Sequence, residues 1–177
     1  MANVPTINDP VSKIYTPSEF PVWKSDLLRN LEVTKNALIM SYVFDCDQVV
    51  AVLLRRLKAS KGGGGRFRCM LVLDKAQHLQ RSRGWARRKI KTLVEAGATV
   101  FLASGKTLPW GKGDLSGSCH VKLVLTDGSA FCGSANLTNA ASSNIEFTFK
   151  AWGTAVSEYV RVFNDALLQS SIVHLEQ

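Results

Sequence analysis

His120 and Lys122 stand two residues apart in the run Cys119-His120-Val121-Lys122-Leu123-Val124-Leu125. On an extended chain, alternate residues point to the same side. The imidazole and the ammonium therefore project together, while Val121, Leu123 and Leu125 face a core. Burying either charge unpaired is costly. A phosphate compensates that cost, with the lysine holding its oxygens and the imidazole facing phosphorus. The pair can thus supply a nucleophile and a charge-stabilising group for phosphoryl chemistry.

Asp127-Gly128 follows as a hairpin signal, and Gly133-Ser134-Ala135-Asn136 comes after the returning strand. Glycine at 133 lets the backbone approach a ligand, and Ser134 and Asn136 add short donors beside it. Glu146, ten residues beyond Asn136, can accept the second N–H of a histidine and fix its tautomer.

The pattern H-x-K-x4-D followed by G-S-x-N resembles the signature of the phospholipase D superfamily. The chain is similar to its single-motif members from about Lys13 to Trp152, close to the bacterial endonucleases and to the animal mitochondrial cardiolipin hydrolase or piRNA-pathway nuclease branch. Ser41-Tyr42, Leu71-Val72-Leu73-Asp74 and the Gly97 turn fall where those relatives have comparable features. One departure concerns the hairpin. Gly128 to Cys132, five residues, separate Asp127 from Gly133, one fewer than is usual in the family, which implies a tighter turn.

The resemblance implies a metal-independent phosphodiesterase needing no cofactor. His120 would attack phosphorus and form a phosphohistidine, and a second histidine would protonate the leaving oxygen and then activate water. Lys122 and Asn136 would hold the non-bridging oxygens, Ser134 and Gly133 would line the substrate, and Glu146 would orient an imidazole. Asp127 is assigned to the turn rather than to proton transfer. The chain has three histidines, His78, His120 and His174, and only one lies in H-x-K. Relatives with one motif build the site from two copies, so the resemblance implies a homodimer. The alternative is that His78 acts as the acid. Asp45, Asp47 and Asp74 read as caps and turns rather than metal ligands.

These residues need a scaffold. Helical spacing marks Ser18 to Val33, Asp45 to Ser60, Arg81 to Gly97 and Thr154 to Gln169. Compact apolar runs mark strands at Lys13 to Tyr15, Ala37 to Phe44, Phe67 to Leu73, Ala98 to Ala103, Cys119 to Thr126, Ser129 to Cys132 and Ile145 to Ala151. The alternation predicts an α/β fold with a mixed, mostly parallel β-sheet flanked by helices on both faces, the α-β-α sandwich of the phospholipase D family. Residues 1–11 read as an N-terminal extension and 12–177 as one phosphodiesterase domain.

The chain has 177 residues, 46% hydrophobic, which suits one globular core. Its formal charge of +8 favours a polyanionic partner, either nucleic acid or an anionic phospholipid. Lys106, Trp110 and Lys112 lie in a loop leading into the His120 strand and should rim the site. A tryptophan between lysines suits single-stranded nucleic acid and equally an interfacial membrane contact. Arg81, Arg83, Arg87, Arg88, Lys89 and Lys91 form a basic helix, read either as a phosphate-tracking surface or as a solvated face. The four cysteines form no C-x-x-C pair and fit a reducing, intracellular compartment; the resemblance keeps a mitochondrial one open. An endonuclease is favoured over a cardiolipin-like lipid hydrolase, and a binding homologue without turnover is the third reading.

Overall fold

The computed structural model describes residues 12–63, 65–104, 118–169 and 172–175. The expected extension at 1–11 and the loop with Lys106, Trp110 and Lys112 lie outside them.

The chain enters through β1 (Ser12–Tyr15). A 3-10 turn over Pro17–Glu19, closed by a Thr16–Glu19 capping box, leads into α1 (Phe20–Val33). Phe20, Trp23, Leu27 and Leu31 recur on one side of α1 and are all buried, as the period of 3.6 requires. β2 (Asn36–Ser41), α2 (Asp47–Lys61), β3 (Arg68–Asp74), a short α3 (Lys75–Leu79), α4 (Gly84–Ala96) and β4 (Thr99–Ala103) follow. Gly97 ends α4 in the left-handed conformation at φ 107°, the role its position implies. β5 (Leu123–Leu125), β6 (Ser129–Gly133), β7 (Thr148–Trp152), α5 (Ala155–Gln169) and β8 (Ile172–His174) complete the fold.

The strands form one mixed sheet in the order β1-β7-β6-β5-β2-β3-β4-β8. α1, α2 and α4 pack on one face around Ile39, Leu71, Val100 and Val124. α5 covers the other, with Phe163 against Met40, Val72, Leu123 and Ala151. This is the expected layering. The parallel part is narrower than expected: among the named strands only β2-β3-β4 pair in parallel, and every other ladder is antiparallel. The cause is local. After β4, β5, β6 and β7 form a meander that docks antiparallel on β2, and α5 then carries the chain across the sheet to β8, which pairs antiparallel with β4.

The strand expected over Cys119 to Thr126 is also shorter, since only Leu123–Leu125 pair. β2 lies against them with Met40 opposite Leu123, and its own ladder ends at Ser41. His120 and Lys122 thus precede the paired strand. There Cys119 is buried and His120 exposed, while Val121 and Lys122 are both half-buried.

Candidate active site

Lys122 and His120 converge. The lysine Nζ lies 3.0 Å from His120 Nδ1, 3.3 Å from Nε2 and 3.0 Å from the His120 carbonyl oxygen. An ammonium only donates, and which ring nitrogen accepts from it depends on the imidazole tautomer. Tyr42 forms the floor. Its ring centroid is 4.4 Å from that of His120, tilted by 52°, and 5.4 Å from Lys122 Nζ. The β2–β5 register explains this meeting: continued past Met40 and Leu123, it carries Tyr42 alongside the His120 stretch. Gln77 Nε2 donates to the Tyr42 hydroxyl at 2.7 Å.

Asp74 anchors both sides. Its carboxylate caps α3 by accepting the Gln77 amide and also accepts the Cys119 amide. Asp45 and Asp47 likewise serve turns. Asn139 N donates to Asp45 Oδ1 at 2.9 Å, and Asn139 Nδ2 to Asp47 Oδ2 at 2.8 Å. The Asp45 and Cys46 amides both donate to the Leu137 carbonyl. The loop after β6 is thereby stitched to the β2–α2 connection. Asn136 sits within that seam, its Oδ1 accepting the Val43 amide at 3.3 Å, one residue from Tyr42.

Glu146 is buried and takes Ser134 Oγ at 2.5 Å and Asn144 Nδ2 at 3.0 Å. Its hydrogen bonds thus run to Ser134 and Asn144 rather than to an imidazole. Its charge opposes the effect of burial on Lys122, where desolvation holds the ammonium below the ordinary lysine value while Glu146 and Cys119 push it back up. Ser134 is tied further to β7: its amide donates to the Phe147 carbonyl at 2.8 Å and the Phe147 amide donates to its hydroxyl at 2.9 Å.

Gly133 runs close against a neighbouring strand. At φ 146°, a Cβ there would lie 2.1 Å from the Phe147 carbonyl oxygen. This close approach is to Phe147 and Thr148, at the start of β7. Asp127 acts on the turn as expected. It accepts the Lys35 amide at 2.6 Å and Asn36 Nδ2 at 2.8 Å, while its own amide donates to Thr34 Oγ1 at 3.0 Å. Burial alone would raise its pKa, but these bonds outweigh that and hold it below the usual aspartate range.

His174 packs on Phe101, ring centroids 5.1 Å apart, in β8, which lies on the far side of β2, β3 and β4 from β5. His78 follows Gln77 in α3, where burial and then the Arg87 charge lower its pKa. Tyr42, Gln77 and Asp74 are the site residues that motif spacing did not single out. Among the described residues no cluster of three or more His, Cys, Asp or Glu side chains is arranged to hold a metal ion.

Comparison with known proteins gives consistent results. Nuc of Salmonella typhimurium, a phospholipase D family member, superposes with a TM-score of 0.68 at 17% identity, covering 94% of this chain and 98% of that one. NucT of Helicobacter pylori gives 0.73 at 19%, covering 90% and 96%. TrmBL2, an archaeal chromatin protein whose structure shows a mode of DNA binding, gives 0.55 at 15%, covering 94% and 56%. At these identities the likeness is one of fold. No curated protein matches the sequence. The family model described as "Cardiolipin synthase, PLD-like domain" matches residues 27–167, a span that holds the paired His120 and Lys122 and most of both helical layers, and the chain therefore belongs to the phospholipase D superfamily of phosphodiesterase-type enzymes.

Proposed function

We propose that the chain is a metal-independent phosphodiesterase that cleaves nucleic acid, preferring single strands, through a phosphohistidine on His120. The observation that carries this reading is the exposed imidazole with an ammonium 3.0 Å from its nitrogen. A phosphodiester arriving there offers Lys122 an oxygen in place of the ring nitrogen and frees the imidazole lone pair for phosphorus. The N–P bond forms as the bond to the leaving oxygen breaks, and a second histidine donates a proton to that oxygen. The same histidine then takes a proton from water, whose oxygen attacks phosphorus and releases His120. Lys122 and the amide nitrogen of Asn136 hold the non-bridging oxygens as charge builds on them. Ser134, held by Glu146, lines the rim, where Lys106, Trp110 and Lys112 would meet the strand.

The second histidine is His120 of another copy, related by a twofold axis. His78, in α3, is the alternative acid. The formal charge of +8 supports a polyanionic substrate.

One observation favours a lipid instead. Ile145 and Phe147, on either side of Glu146, are 90% and 53% exposed, an apolar rim that suits acyl chains, and the matching family model is described as cardiolipin synthase. Purified protein is incubated with labelled single-stranded oligonucleotide and, separately, with cardiolipin vesicles, each with EDTA. We expect oligonucleotide cleavage that persists in chelator and is lost in His120→Ala. Cleavage of lipid alone would reverse the ranking. Binding with no turnover in either arm would leave a binding homologue. Light scattering should report a dimer, and a fully active monomer would remove the shared site.

A further inference from the structure

The basic run on α4 does not behave as one face. Arg83 donates to Gln80, and Lys89 is consumed by the Asp45 carbonyl and the Asp47 carboxylate. Arg87 and Arg88 differ. Their guanidinium nitrogens lie 3.8 and 3.9 Å from the point where a side chain on Gly84 would begin, so two like charges converge on one spot. That spot is the start of α4, which has no acidic residue in its first turn and no side-chain cap. Cations there oppose the helix dipole. No carboxylate reaches either guanidinium among the described residues. Arg87 touches only the carbonyls of His78 and Gln80.

These residues line a groove of about 380 Å³ with His78, Lys91, Val94 and Leu175. Glu95, 3.9 Å from Lys91, is its one acid. His78 also borders the crevice that holds Tyr42 and Gln77. The groove therefore begins where the floor beneath His120 ends.

We propose that this groove is a second phosphate-binding subsite, one that holds the backbone of a nucleic-acid strand extending from the His120 site. This rests on the nucleic-acid reading above and adds the path of the strand. A phosphate between Arg87 and Arg88 answers both guanidiniums together and suits the positive end of the α4 dipole. Lys91, one turn on, meets the next phosphate, and Val94 and Leu175 give the sugar or base an apolar wall.

The test uses full-length Arg88→Ala and Lys91→Ala proteins, both altered at exposed positions. A fluorescent single-stranded oligonucleotide of about 16 nucleotides is titrated across a salt series, and turnover of bis(p-nitrophenyl) phosphate, too short to reach α4, serves as the reference. Each variant should bind the oligonucleotide several-fold more weakly. Each should also lose about 0.7 from the slope of log affinity against log salt, with small-diester turnover kept. Binding and slope equal to wild type in both variants overturn the groove alone. Wild-type protein that holds no oligonucleotide at low salt overturns the nucleic-acid reading and the groove with it. A loss confined to cardiolipin vesicles overturns the groove as a strand path and assigns it to a membrane surface.

Discussion

The carboxylate of Asp74 accepts the Cys119 amide at 2.8 Å. Asp74 ends β3, is 1% exposed, and spends its other oxygen on the Gln77 amide at 2.8 Å. One buried side chain therefore fixes both the residue before His120 and the residue that holds the Tyr42 hydroxyl.

Asp74→Ala should lower stability by about 3 kcal/mol, from a lost cap and a lost charge-assisted bond. It should also lower kcat more than it raises KM, because the His120 stretch loses its tether. Urea unfolding and small-diester kinetics measure the two effects. Unchanged kcat at reduced stability would mean that Asp74 has a structural role only.

Lys122→Ala should lower kcat about 10²- to 10³-fold, the usual cost of losing one donor to a developing oxyanion. The wild-type activity should fall on the alkaline side with an apparent pKa below that of an ordinary lysine, because burial lowers the Lys122 pKa. Glu146 pushes the same pKa upward, so Glu146→Gln should move that limb to still lower pH. A pH–rate series on both proteins reads the shift, and a limb moved upward would contradict the assignment.

Tyr42→Leu should cost about tenfold in kcat, the scale of one lost ring contact. Tyr42→Phe keeps the ring and should keep most of the rate. Equal losses in the two variants would transfer the role to the hydroxyl and Gln77.

Gly133→Ala should destabilise the fold by roughly 3 kcal/mol, since a left-handed φ and a clash with the Phe147 carbonyl act together. Thermal unfolding measures this, and near-wild-type stability would mean that β7 can withdraw at little cost.

Asp127→Asn should cost about 1 kcal/mol near neutral pH, the scale of a weakened hydrogen-bonded turn. Asp127 has a folded pKa below its ordinary value. Its stabilisation is thus complete above the unfolded value and is lost as pH falls through the folded one. The gap between wild type and variant should stay flat at neutral pH and shrink below about pH 4. Urea midpoints across that range report it.

The elements easiest to read were those with a repeating apolar face. α1 and α4 lie within two or three residues of their expected bounds, because burying one side forces the spacing. Gly97 and the Asp127-Gly128 turn were legible from backbone chemistry. The length of β5 was not, since alternation in the sequence cannot say where its neighbour β2 stops. β8 spans only Ile172–His174 and depends on pairing with β4. The His120–Lys122 pair was visible because the two are near in sequence. Tyr42 met them only through the β2–β5 register, and Asp74 only through the end of β3. Gly133 was recognised as necessary, but its partner Phe147 is distant in the chain.

The Asp127 turn and the connection from α2 to β3 sit together at the rim where β2 and β3 begin, a full strand away from Asp74 and Cys119. That rim touches none of the groups assigned to chemistry. A fluorophore, an affinity handle or a whole fused module inserted near Lys61 or Gly63 should leave the catalytic rim unobstructed, and would give a fixed point from which to track an arriving strand.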